Sequence, residues 1–252
     1  MIKKINFKIS KKQDLSTLKA FVKESKYGDE TTLKCAFFNL YPGLKNYIKR
    51  KKVGEPEFYI SDINSIKSFI DNEYATNKVT LRENLNKIQA GWGEKTETYF
   101  RLASELFAEK YWPKGEYTAC ATIWGIYPRF IERRLFQIPA LKLEKQFTMI
   151  VIAHEMLHFA FYNYFLKNYP EYTMNENSFF IWNISEGFNE VVQWHPKWIR
   201  EFGFGCDIYG GRDEIVKKLQ KKYSKLDIID SKNLIDDLII EIKKNKKFLL
   251  HD

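Results

Sequence analysis

Cysteine is scarce: the 252 residues hold only Cys35, Cys120 and Cys206, far apart, odd in number and with no C-x-x-C pair. That pattern argues against a disulfide framework and against a zinc ribbon. Long uncharged apolar runs are also missing. The opening MIKKINFKISKKQ has no stretch of the length a signal peptide or membrane span needs, and no later window lacks charge for that length. The cytoplasm is the expected location, with no membrane partner. Histidine is limited to His154, His158, His195 and His251. No internal repeat or low-complexity linker interrupts the first half.

What is present fits a folded chain. A hydrophobic content of 44% with 29% charged residues supports a substantial core, as one large domain or a main domain with a smaller lobe. The 20 Phe, 15 Tyr and 6 Trp are read as core first and as an aromatic-lined cleft second. The net charge of +9 gathers in KRKK (Lys49 to Lys52), KKLQKK (Lys217 to Lys222) and KKNKK (Lys243 to Lys247). Solvated helix faces and a basic tail are the plainer reading of these lysines. Nucleic acid is the other partner they admit, although no RNA- or DNA-binding motif accompanies them.

Periodicity outlines the elements. Residues 2 to 9 alternate apolar and polar, as in a short edge strand. Leu15 to about Arg50 is mostly helical in spacing, broken near Gly28 and closed by Tyr41-Pro42-Gly43. Residues 62 to 90 and roughly 95 to 111 are expected as two further helices. At Trp112-Pro113 the texture changes. EYTACATIWGIY (116 to 127) is β-branched and aromatic, and RLFQIPA (134 to 140) gives a second strand-like run, with Pro139 at an edge or a strand end. Glu144 to about Leu166 contains no Gly or Pro and is apolar nearly all round its centre, the mark of a buried helix. Two later helices are expected near 185 to 195 and 230 to 247. The fold class is therefore α+β: a mostly helical region over 1–112 packed on a core over 113–252, or one continuous domain.

The chemistry concentrates in AHEMLHF, residues 153 to 159. Residues four apart on a helix are rotated by about 400° and displaced by about 6 Å, so His154 and His158 share a face. Two imidazoles can then point at one metal ion, for which Zn²⁺ is the expected identity. Glu155 lies about 100° round the helix, beside the ion and not on it. From there it can act as general base toward a metal-activated water. Burying two histidines and a glutamate without partners would cost several kcal/mol, roughly, which a cation removes.

A third donor is needed. Phe161 and Tyr164 occupy the places that a longer H-E-x-x-H-x-x-G-x-x-H pattern would require, so that pattern is absent. His195, beside Pro196, and His251, the penultimate residue, are weakly placed. NISEGFNEVVQW (183 to 194) offers more: Ile184, Phe188, Val191 and Val192 form an apolar stripe, Ser185 is a plausible N-cap, and Glu186 and Glu190 stand one turn apart. GCDIYGG (205 to 211) faintly resembles the G-T-x-D-x-x-Y-G motif of the aspartate zincins, one residue short between Asp207 and Tyr209, and that resemblance implies Asp207 as the runner-up ligand.

AHEMLHF followed by SEGFNE resembles the gluzincin metallopeptidases, especially the peptidase-MA-like group, whose second motif is similar to E-G-hydrophobic-x-E. The resemblance covers roughly residues 116 to 195. It implies a zincin-like fold in which a small mixed or antiparallel sheet leads into the histidine helix and then a glutamate helix. It also implies Glu186 as third zinc ligand, Glu190 as a carboxylate bonded to a ligating histidine, and an edge strand within 116 to 140 that pairs with substrate peptide. The expected activity is zinc-dependent hydrolysis of a peptide or protein substrate with Glu155 as base. Tyr209 and His195 are the candidates for stabilising the oxyanion. The rival expectations are a catalytically silent zinc-binding protein and a protease acting on nucleic-acid-associated proteins.

Overall fold

The computed structural model describes residues 3–23, 33–50, 58–141, 144–172, 179–203, 205–208 and 211–245. It is a mixed α+β protein, mostly helical, with one small sheet at its centre. Strand β1 (Ile5–Ile9) opens the chain and helix α1 (Lys11–Lys23) follows. Single turns at Lys34–Phe38 and Pro42–Asn46 lead to β2 (Ile48–Arg50), which pairs antiparallel with β3 (Phe58–Ile60). Of the mostly helical stretch expected from Leu15 to about Arg50, the break near Gly28 lies outside the described residues, and residues 48 to 50 are extended instead.

Helix α2 (Ile63–Thr76) starts where the Asp62 carboxylate accepts the backbone N–H groups of Asn64 and Ser65, both at 3.0 Å. Helix α3 (Lys78–Leu106) runs for 29 residues, merging the end of one expected helix with the next. Gly91 and Gly93 do not break it. At Gly91 a Cβ would meet only the far end of the Lys145 side chain, at 2.9 Å, which can swing aside. The boundary falls instead at Asn77, whose side-chain amide donates to the Glu73 carbonyl at 2.8 Å.

Strands β4 (Tyr117–Thr122), β5 (Arg129–Phe130) and β6 (Leu135–Pro139) complete the sheet in the order β1-β4-β6-β5. The pairs β1–β4 and β4–β6 are parallel; β5 is an antiparallel edge of two residues. Pro139 closes β6 opposite Thr122, where the missing N–H does least harm. Segment 1–112 thus supplies an edge strand to the sheet of segment 113–252, and the buried apolar residues of both join in a continuous cluster.

Helices cover both faces, as a buried parallel sheet requires. Phe136 points toward Phe159 of α4 (Lys145–Asn168). Its neighbour Gln137 points the other way, to α1, donating to Asp14 at 2.5 Å and accepting from Thr17 at 2.6 Å. Behind α4 come α5 (Phe179–Gln193), α6 (Pro196–Phe202), α7 (Asp213–Tyr223) and α8 (Ser231–Lys243). Both α6 and α7 were absent from the sequence expectations. Helix α5 also begins six residues before Ser185, which lies inside the helix and donates to the Trp182 carbonyl at 2.9 Å. Ser185 is not the N-cap; the apolar run FFIWNI already satisfies a buried helix. Among the described residues, no helix is long and apolar enough to cross a membrane.

Candidate metal centre

Helix α4 is buried over most of its length, so the groups projecting from its middle turns meet protein and not water. His154 and His158 stand one turn apart with ring centroids 4.7 Å from each other. Helix α5 packs alongside and presents Glu186, Asn189 and Gln193 toward them. Two of these bind the α4 backbone: Asn189 Nδ2 donates to the His154 carbonyl at 2.9 Å, and Gln193 Nε2 donates to the Ile150 carbonyl at 3.2 Å. These two amides fix the register between the helices.

The Gln193 amide also sets the tautomer of His154. Its nitrogen is engaged with Ile150, so its oxygen, 3.1 Å from His154 Nδ1, accepts a hydrogen bond from that ring N–H. In the neutral ring the lone pair then sits on Nε2, which lies 3.0 Å from Glu186 Oε2. Two acceptors this close need a cation between them, either a proton or a metal ion. Glu186 Oε1 lies 3.4 Å from His158 Nε2. The two imidazoles and the Glu186 carboxylate therefore converge. His154, Glu155 and His158 also place a ligand atom each within 4.8 Å of one another.

The electrostatics are those of a site arranged around positive charge. Burial alone would lower the His154 pKa, but hydrogen bonds to the Cys206 thiol and to Glu186 raise it well above the usual range. Burial and the nearby Arg129 charge drive His158 well below that range, and Glu186 only partly opposes them. Glu186 is raised by burial, yet His158, Arg129 and the bond from His154 hold it well below an ordinary carboxyl. Burial pushes Glu155 up to about 7, against the pull of His154 and Arg129. Among the described residues, neither ring nitrogen of His158 nor Glu155 Oε2 has a well-aligned hydrogen-bond partner, although all three atoms are buried. Orphaned donors of this kind, with two imidazoles and carboxylates, fit a first-row divalent ion such as Zn²⁺.

No match emerges for this chain from family models, from curated proteins or from solved structures.

Several residues stand elsewhere than the sequence implied. Glu190 was expected on a ligating histidine; its carboxylate receives the Arg212 guanidinium, Nη2 to Oε1 at 2.8 Å and Nε to Oε2 at 3.2 Å, with both side chains fully buried. The partner of His154 Nδ1 is Gln193, one turn further along α5. His195 was a candidate for the oxyanion, but it caps α6. Its Nδ1 accepts the Lys197 N–H at 3.4 Å and its Nε2–H donates to the Leu226 carbonyl at 3.0 Å. Asp207 is exposed. Tyr209 and His251 lie outside the described residues.

Besides Gln193, three contributors escaped the sequence reading. Arg129, on β5, donates from Nη1 to Glu186 Oε1 at 2.8 Å and from Nη2 to the Tyr162 hydroxyl at 3.1 Å, and its Nη1 lies 4.0 Å from Glu155 Oε2. It is one of 41 basic residues, and nothing in its neighbourhood singles it out. Tyr162 could have been found, because it follows His158 by four and so continues the same helix face. Cys206 reaches His154 from the segment after α6. Its carbonyl accepts the Trp194 indole N–H at 2.7 Å, and a side chain at Gly205 would strike that indole at 2.6 Å. A glycine at 205 is what lets the cysteine come so near.

Proposed function

We propose that this chain is a zinc-dependent metallopeptidase of the gluzincin type, with His154, His158 and Glu186 as ligands and Glu155 as general base. The observation that carries the proposal is the convergence of two imidazole nitrogens on one buried carboxylate, at 3.0 and 3.4 Å, with His158 lacking any other aligned partner among the described residues. A bound zinc ion would supply a water of lowered pKa and polarise the scissile carbonyl. Glu155 stands where it would accept a proton from such a water and return it to a leaving amine. Its raised pKa suits a group that must both accept and return a proton near neutral pH. Gln193 keeps His154 in the tautomer whose Nε2 faces Glu186.

The architecture supports the same reading. A small mixed sheet precedes the histidine helix, the glutamate helix follows, and β5 is an antiparallel edge strand within the segment where a peptide-pairing edge was expected. An extended substrate adding to that edge would pass Arg129 and Phe130, beside the base.

Glu155→Gln is expected to retain bound zinc and to lose peptide hydrolysis by a factor of roughly a thousand, as for removal of a general base with its associated electrostatics. Metal content by mass spectrometry beside a casein or mixed-peptide assay, with and without chelator, checks it. Full turnover in the variant would sink the assignment of the base.

The burial of the donors favours a second reading. His158 and Glu186 are fully buried and Arg129 leans over both carboxylates, an enclosure that also fits a zinc-holding protein without hydrolytic activity. Stoichiometric zinc together with no chelator-sensitive cleavage would select it. A protease drawn to nucleic-acid-associated proteins gains little from α7, whose Lys218 and Lys222 face Glu241 at 2.9 Å and Asp237 at 2.5 Å on α8.

A further inference from the structure

The strongest feature that the metal reading leaves unused is Arg129. Its side chain is seven-eighths buried, and its guanidinium is held on several sides. Nη1 donates to Glu186 Oε1 at 2.8 Å, while Nη2 reaches the Tyr162 hydroxyl at 3.1 Å and Ser185 Oγ at 3.3 Å. The carbon of the guanidinium sits 5.4 Å from the centre of the Tyr162 ring. Tyr162 belongs to the histidine helix, Ser185 and Glu186 to the glutamate helix, and Arg129 to the edge strand. One cation thus joins the three elements that surround the site.

We infer that Arg129 is the built-in counter-cation of the metal centre, a positioning residue that holds Glu186 Oε1 and competes with the ion for the same carboxylate. The inference rests on the metal reading above and deepens it. A guanidinium does not lose its proton in a protein, so this positive charge is permanent. With no ion bound, it compensates a carboxylate that burial would otherwise make costly. With an ion bound, the Arg129 hydrogen bond keeps one oxygen of Glu186 engaged and leaves Oε2, on the His154 side, to be presented to the metal. Two cations sharing one buried carboxylate repel each other. Arginine and zinc must therefore be negatively coupled: each binds less favourably because of the other.

The consequence is specific. A site with its own counter-charge stays assembled when empty, and its affinity for the ion is held down. Removing the arginine reverses both effects. A side chain that only packed the edge strand would weaken the zinc-free and zinc-bound proteins alike.

The test is thermal unfolding of the full chain as wild type, Arg129→Lys, Arg129→Gln, Glu186→Gln and the Arg129→Gln/Glu186→Gln pair. Each is measured at one pH in chelator and in saturating zinc. In chelator, Arg129→Gln is expected to melt roughly 10 °C below wild type, the usual scale for breaking a buried ion pair in a chain of this size. Its upward shift on adding zinc should exceed that of the wild type. Arg129→Lys, keeping the charge without the fork, should fall between the two on both measures. In the Glu186→Gln background the additional loss from Arg129→Gln should largely vanish. An Arg129→Gln protein that accumulates only in zinc gives the same answer in stronger form; if it folds in neither condition, Arg129→Lys decides by the same comparison.

Equal zinc shifts in wild type and Arg129→Gln, with one zinc bound to each, would overturn this inference and leave the metal centre standing. A wild type that takes up no zinc would overturn the metal reading and this inference together.

Discussion

Gln193 shows how much one amide decides. It spends its N–H on the Ile150 carbonyl and so must accept from His154 Nδ1, which turns the other ring nitrogen toward Glu186. Gln193→Leu is expected to weaken zinc binding about 10- to 100-fold, the range for partners that orient a ligating histidine. Competition against a chromogenic chelator would measure it, and affinity unchanged by the substitution would count against His154 as a ligand. Asp14 matters for a different reason. Buried on α1, it accepts bonds from Tyr74, Thr122, Gln137 and the Ile123 N–H. Burial nevertheless raises its pKa above the ordinary value, against the pull of those four donors. A folded pKa above the unfolded one means a contribution that is complete below the ordinary aspartate range and lost as pH rises through the folded value. The gap in urea midpoint between wild type and Asp14→Asn, which does not titrate, should narrow as pH climbs from about 4 toward 7. A gap that widens would show that the four hydrogen bonds outweigh burial.

At the scale of elements, the pairing of α4 with α5 carries the site, and the periodicity of each helix was readable. A buried helix around AHEMLHF was legible from its length and its lack of Gly or Pro, since a run that is apolar nearly all round carries no period of its own. The start of α5 was misjudged because Ser185 has the chemistry of a cap, while FFIWNI has no polar mark of being helical until it is packed. Helix α7 was hidden for the opposite reason: KKLQKK reads as charge, and its apolar stripe of Val216, Leu219 and Tyr223 is sparse. Glu190 was misassigned because spacing along one helix cannot say which neighbour arrives from another. That neighbour is Arg212, fully buried, donating also to the Asn183 side chain at 2.8 Å and lying over the Trp182 ring. It ties the segment before α7 onto the glutamate helix. Arg212→Met should destabilise the protein by about 3–5 kcal/mol, since the buried Glu190 carboxylate loses its guanidinium. Urea unfolding at neutral pH would measure this; a loss below about 1 kcal/mol would mean that water or another group replaces the arginine.

Across the whole molecule, a single ion would link segments that are remote in sequence. Because it binds only the folded arrangement, zinc at a hundredfold excess over its Kd should stabilise the protein by about 2.7 kcal/mol. Calorimetry with zinc and then with chelator should show one ion per chain and a reversible rise in Tm; zinc-independent unfolding would remove the metal from the account. The sequence alone determined the two histidines on one helix face, the glutamate between them and the mixed α+β character, because helical spacing and apolar period are local properties of the chain. Only the tertiary structure decided that Gln193 stands behind His154, that Glu190 belongs to Arg212, and that Arg129 meets Glu186 from the sheet edge. Those pairings join residues up to 57 positions apart, and their distances follow from how helices and strands pack, which no local pattern encodes.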